Sequence, residues 1–284
     1  MSISTVSVIG AGTMGVGIAQ VTAVAGYQVI LYDLEEGILT EARQRIGASL
    51  DKGVARGYVD GSAAAQALDT LRLTTTLEDA AASDLVIEAV PEDLALKRDL
   101  FRRLDDLTPP DTLLASNTSS LSISALGGAT QRPEQVLGLH FFNPVHIMKL
   151  VEIVRGDLTG DETIVAGRQF VDQLGKTGVL VKDTPGFIVN RVARPFYGEA
   201  FRLLGEGAAD VATIDRLVRS LGFRMGPFEL VDLIGCDVNL AVTKSVYEAY
   251  FHEPRYRPHP IQQRMVDSGR LGRKSGRGFY NYEE

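Results

Sequence analysis

The chain has 284 residues, a formal net charge of −7 and one cysteine. That length exceeds one typical domain, points to two, and leaves ample chain for a sizeable core. The acidic balance argues against a nucleic-acid or anionic-membrane partner, and a lone Cys236 excludes an intramolecular disulfide and fits a reducing compartment.

Thr5–Ile9 is a short β-branched run, followed at once by Gly10-Ala-Gly12-Thr13-Met14-Gly15 and a helical pattern. Strand, glycines and helix in that order form the dinucleotide fingerprint. Gly10 permits the tight turn, Gly12 lets backbone approach a pyrophosphate, and Gly15 allows close helix–strand packing; Thr13 and Met14 head the helix whose amides would meet the anion. The bland alternative is a glycine-rich turn in some other α/β fold. A second strand, Gln28–Tyr32, ends at Asp33, about twenty residues beyond the glycines, where a carboxylate can accept from both ribose hydroxyls. Glu35 and Glu36 follow, so a ribose phosphate would meet negative charge, and NAD is expected rather than NADP.

A helical excursion occupies 36–70. From Glu36 to about Arg56, Leu39, Ala42, Ile46, Leu50 and Val54 recur at helical spacing, while Ser49, Lys52 and Arg56 share another face. Strands are expected at Arg72–Thr75, Leu85–Glu88, Leu113–Ser116, Val136–Phe142, Leu150–Arg155 and Val179–Lys182. This alternation predicts an α/β fold: a Rossmann-type, doubly wound, mostly parallel sheet over residues 1–183. Asp183-Thr-Pro-Gly186 breaks the pattern. Helices then follow at Phe187–Leu204, Val211–Leu221, Phe228–Tyr250 and Pro260–Ser268, giving a smaller all-α C-terminal domain over 184–284. Cys236 is expected there as a small buried apolar side chain.

Ligands in such sheets bind beyond the carboxyl ends of strands. Ala89-Val-Pro-Glu92 lies at one such end, with a helix beginning over Glu92 to Lys97. Ser116-Asn-Thr-Ser119-Ser120 lies at another, its hydroxyls either donors to a ligand or caps of the next helix. The stretch His140 to Glu152 sets an imidazole and a carboxylate on either side of an apolar run. A histidine moves protons near neutral pH, and a carboxylate on its second nitrogen fixes the tautomer. Spacing alone leaves open whether the two meet, since an Asn143-Pro turn intervenes; the alternative is a structural histidine and a solvated glutamate.

Together these blocks resemble the L-3-hydroxyacyl-CoA dehydrogenase family, above all its short bacterial 3-hydroxybutyryl-CoA members. The resemblance runs through the Gly10 fingerprint, Glu88-Ala-Val-Pro-Glu92 with Lys97, Ser116 to Leu121 and His140 to Glu152. It continues in Asp183 to Arg191, Gly226-Pro-Phe-Glu-Leu-Val-Asp232 and Gly272 to Tyr280. It implies NAD-dependent oxidation of an acyl-CoA thioester, with His140 as general acid–base and Glu152 orienting it. Ser119 and Asn190 would hold the reacting oxygen or thioester, with Asn190 reaching the site as a cleft closes. Glu92, Lys97, Ser119, Asn143 and Lys274 would contact the cofactor, and Ser49, Arg56 and Ser119 the coenzyme A. A homodimer is implied too. His146 departs from the proline of many short members and puts acyl preference in doubt.

No charged-then-apolar leader precedes the first strand and no run reaches membrane-spanning length, so a cytoplasmic enzyme is expected. Four histidines and one cysteine without ligand spacing predict no metal. The competing readings are a dehydrogenase of a free hydroxy acid and a non-catalytic dinucleotide-binding protein.

Overall fold

The computed structural model describes residues 3–282. Its contacts divide the chain into two units, one ending at Thr184 and one beginning at Pro185. The first runs β1 (Thr5–Ile9), α1 (Thr13–Val24), β2 (Gln28–Tyr32), α2 (Glu36–Ala55), α3 (Gly61–Asp69), β3 (Leu71–Thr74), α4 (Leu77–Ala81) and β4 (Leu85–Glu88). It continues with α5 (Leu94–Leu107), β5 (Leu113–Ser116), α6 (Ile123–Gly127), β6 (Val136–Phe141), β7 (Leu150–Arg155), α7 (Asp161–Gln173) and β8 (Thr177–Lys182).

The eight strands form one sheet in the order β3-β2-β1-β4-β5-β6-β7-β8. All neighbours are parallel except β6 and β7. Central strands buried on both faces are mostly apolar, as Val6, Val8, Ile9, Leu85, Val86 and Ile87 are; the buried Ser7 is satisfied by the Ser83 hydroxyl at 2.7 Å. Strand order reverses between β1 and β4, so their carboxyl ends open a crevice at the switch point.

On α2 the stripe Leu39, Ala42, Ile46 and Leu50 is buried as expected, but Val54, one residue before the helix ends at Ala55, is exposed. The last strand starts at Thr177 rather than Val179. Its polar opening pairs with Leu150 and Val151, a tertiary contact that an apolar pattern does not report.

The second unit contains α8 (Val189–Gly205), α9 (Val211–Ser220), α10 (Pro227–Ile234), α11 (Cys236–Ala249) and α12 (Pro260–Asp267). The single helix expected over Phe228–Tyr250 is two. Gly235 has φ +100°, and the Cys236 amide donates to Leu271 O instead of continuing the helix. Apolar periodicity passes through Gly235 unbroken and cannot report that change of direction. Phe201, Phe228, Val231, Cys236 and Met265 make the core. Burial and the nearby carboxylates of Asp232 and Asp237 push the Cys236 thiol up to about 12, leaving it inert.

Two buried carboxylates close this unit. Asp232 accepts from the Phe279 and Tyr280 amides, at 3.0 and 2.9 Å, and from the Tyr282 hydroxyl at 3.1 Å. Asp215 accepts from the Phe228 and Glu229 amides, both at 2.9 Å, and from the Tyr280 hydroxyl at 2.8 Å. A Cβ at Gly278 would fall 2.1 Å from Asp232 Oδ1. Only glycine lets the terminal strand of chain lie on that carboxylate.

Candidate active site

The glycine turn sits at the crevice between β1 and β4. Gly10 has φ +103°, and a Cβ there would meet Ala89 O at 2.8 Å; one on Gly15 would lie 1.7 Å from Gly10 O. Both positions therefore demand glycine for backbone packing. At Gly12 a Cβ would meet nothing within 4 Å, so that face is open. Gly12 is also the N-cap of α1 and supplies no side-chain cap, which leaves the helix-end amides to a ligand or solvent. Asp33 follows β2 and turns back to the same loop, its Oδ2 accepting from the Ala11 amide at 2.7 Å and its Oδ1 from Leu34 at 2.8 Å. Open backbone, uncapped amides and a carboxylate with spare lone pairs suit a dinucleotide's pyrophosphate and ribose.

At the ends of β4 and β5 lies a cluster that sequence reasoning only partly anticipated. Lys97 is 1% exposed and Glu88 0%. Lys97 Nζ lies 2.6 Å from Glu88 Oε1 and 3.1 Å from Glu92 Oε2, and also donates to Val90 O at 3.3 Å. Glu92 Oε1 gathers the Thr118 hydroxyl at 2.6 Å and the Ser119 amide at 2.9 Å, with the Ser119 hydroxyl at 3.2 Å. Burial pushes the Glu88 carboxyl up, against the pull of Lys97. Burial works the same way on Glu92, but Lys97, the Thr118 hydroxyl and the Ser119 amide outweigh it and hold that carboxyl below the usual range. The helix expected from Glu92 begins at Leu94, after Asp93 caps it through the Leu96 amide at 2.8 Å. Ser122, not Ser119, caps the following helix α6.

His140 and Glu152 do meet. The connection over 142–149 is short and turns the chain back, so β6 and β7 pair antiparallel with His140 directly opposite Glu152. His140 Nδ1 lies 2.7 Å from Glu152 Oε2, and both residues are buried. The Phe142 ring packs on the imidazole at a centroid distance of 4.4 Å. The connecting loop is itself anchored. Lys176 Nζ donates to Val145 O at 2.6 Å and Met148 O at 2.8 Å. Val145 packs on α1, where a Cβ at Gly17 would come within 2.8 Å of its side chain. Asn143 and His146 are exposed on this loop.

The remaining expected residues belong to other elements. Ser49 is half-buried on α2, and Arg56 at the end of that helix is exposed beside the equally exposed Lys52. Asn190 stands in the first turn of α8 in the second unit, and Arg194 Nη2 donates to its Oδ1 at 3.5 Å. Lys274 pairs within that unit with Asp237, Nζ to Oδ1 2.6 Å. Glu88 and Ser116, absent from the sequence-derived set, are the additions. A glutamate closing the otherwise apolar strand Leu85–Glu88 was the available signal.

Comparison with known proteins covers both units. The family model described as the NAD binding domain of 3-hydroxyacyl-CoA dehydrogenase matches residues 5–184, and that of its C-terminal domain matches 186–282. The chain is 48% identical over 283 residues to the 3-hydroxyadipyl-CoA dehydrogenase of Escherichia coli, covering 99% of this chain but 60% of that longer protein. It is 44% identical to a 3-hydroxybutyryl-CoA dehydrogenase of Mycobacterium tuberculosis, with 99% of each chain covered. The solved (S)-3-hydroxybutyryl-CoA dehydrogenase of Ralstonia eutropha superposes with a TM-score of 0.94 at 41% identity, covering 100% of both chains.

Proposed function

Because the chain belongs to the 3-hydroxyacyl-CoA dehydrogenase family, we propose that it interconverts short L-3-hydroxyacyl-CoA and 3-oxoacyl-CoA thioesters with NAD. The observation that carries this reading is the buried His140–Glu152 pair, held in cross-strand register at 2.7 Å. A carboxylate only accepts, so Glu152 draws the imidazole proton onto Nδ1 and leaves Nε2 as the nitrogen that takes a proton. His140 then removes the hydroxyl proton of the substrate and returns it in the reverse direction, while Glu152 stabilises the imidazolium. NAD, when bound, supplies the hydride acceptor. Gly10, Gly12, Thr13, Met14 and Gly15 would hold its pyrophosphate through backbone, and Asp33 its adenosine ribose. Glu92, Lys97, Asn143 and Lys274 would complete its site.

Ser119 and Asn190 would hydrogen-bond the reacting oxygen or the thioester, and the Ser49/Arg56 face would meet coenzyme A. An acidic protein needs such a local cationic face for a polyanionic carrier. Exposed apolar side chains on the second unit, Val192, Leu217 and Leu221 among them, support a homodimer. No helix among the described residues is long and apolar enough to cross a membrane.

Identity to a 3-hydroxyadipyl-CoA dehydrogenase favours a second reading, in which the acyl chain ends in a carboxylate. Initial rates with NADH or NADPH on acetoacetyl-CoA, 3-oxoadipyl-CoA, free acetoacetate and, in the oxidative direction, L-gulonate separate these. Preference for acetoacetyl-CoA with NADH is expected. A faster rate on 3-oxoadipyl-CoA selects the second reading, a preference for a free acid refutes the thioester, and binding without turnover refutes an enzyme.

A further inference from the structure

Two branches leave the Glu88–Lys97 ion pair and rejoin at the turn that carries Ser119. On one side, Glu88 Oε2 accepts the Ser116 hydroxyl at 2.6 Å, and Ser116 Oγ accepts the Thr118 amide at 3.2 Å. On the other, Lys97 holds Glu92, whose Oε1 receives the Thr118 hydroxyl and the Ser119 amide. Thr118 Oγ1 passes the constraint on, accepting the Leu121 amide at 2.9 Å. Thus every residue from Ser116 to Ser119 except Asn117 is tied through a side chain to one buried pair. Asn117 is tied elsewhere: its Oδ1 accepts the Phe141 amide, next to His140, at 2.9 Å.

We propose that Glu88 is a positioning residue for catalysis: with Lys97 it sets the turn that presents Ser119. This rests on the proposed role of Ser119. A buried ion pair is seldom the most stable filling for a core, since apolar side chains of like volume serve as well or better. What apolar side chains cannot do is hold two hydroxyls and two amides in one arrangement. Glu88 itself accepts three donors: Lys97 Nζ, the Ser116 hydroxyl and the Val90 amide, the last at 2.7 Å. Glutamine has the same shape, but it offers one oxygen and adds two donors. If that oxygen stays on Lys97 and the Val90 amide, the NH2 faces Ser116 Oγ, so the Ser116 hydroxyl must turn from donor to acceptor, and Lys97 is left with Glu92 as its only carboxylate.

The test is a kinetic cycle of Glu88→Gln, Ser119→Ala and the double variant, with hydrogen exchange read by mass spectrometry over 116–121. Glu88→Gln is expected to lower kcat about 10–100-fold, the scale of a misplaced contact group, with KM for NADH changed less. In the Ser119→Ala background the same change should cost no more than about 2-fold. Exchange over 116–121 should quicken in Glu88→Gln. Additive losses in the cycle overturn the proposal, as does unchanged exchange. Should Ser119→Ala turn over like the parent, the reading of Ser119 falls by itself, and exchange over 116–121 alone decides whether Glu88 sets the turn. If Glu88→Gln does not fold, Lys97→Arg, which keeps the charge but not its reach, takes its place in the same cycle with the same expectations.

Discussion

Two sets of interacting charged side chains in the first unit are built differently. His140 and Glu152 face each other across an antiparallel ladder, so two positions in one register bring them together. Glu88, Lys97 and Glu92 come from a strand, a helix and the loop between them, and an ammonium is shared by two carboxylates. The first set holds an imidazole, which can gain and lose a proton near neutral pH. The second carries hydroxyls and amides of the Ser116–Ser119 turn.

Removing the imidazole should break this contrast most severely. His140→Ala is expected to lower turnover by ~10²–10⁴ while NADH binding, followed by fluorescence titration, changes little; a near-parental rate would refute the acid–base role. Glu152→Gln keeps the shape but lets its amide donate, so it can favour the wrong tautomer. A loss of ~10² in kcat with a displaced pH–rate profile is expected, and an unaltered profile would separate Glu152 from proton transfer.

Asp232, in the second unit, offers a comparison without proton transfer. Asp232→Ala strips the acceptor from the half-buried Phe279 and Tyr280 amides. It should destabilise the helical unit by ~2–4 kcal/mol, seen as a lower melting temperature; an unchanged melt would mean that those amides find other acceptors.

The smallest effect is expected from acid. Glu92 has its folded-state carboxyl held below the ordinary glutamate value of 4.5. Its contribution to stability is therefore complete above that value and is lost as pH falls below it through the depressed one. Melting curves of the parent and Glu92→Gln should differ most near neutrality and converge as pH falls below 4.5. Curves that stay parallel would show that the carboxylate is not held by Lys97 and Thr118.

Much of the fold was legible because local chemistry and tertiary role coincide. The glycine turn after β1, the carboxylate after β2 and the apolar central strands each answer to a requirement written within a few residues. The turn-back of β6 onto β7 was left open by spacing alone, although the connection over 142–149 is too short for a parallel crossover. Gly235 was not legible. Its positive φ and the Cys236–Leu271 bond depend on a segment far along the chain.

By itself, then, the order of residues determined the alternating α/β pattern, the dinucleotide fingerprint and the residue types available for proton transfer. Tertiary structure decided which of them meet. A histidine and a glutamate twelve positions apart become partners only when two strands pair in one register. A glutamate ending an apolar strand becomes an anchor only when Lys97 of α5 packs beneath it. Local propensity acts over neighbouring residues, whereas contacts such as these are fixed by which strand ends the sheet brings side by side.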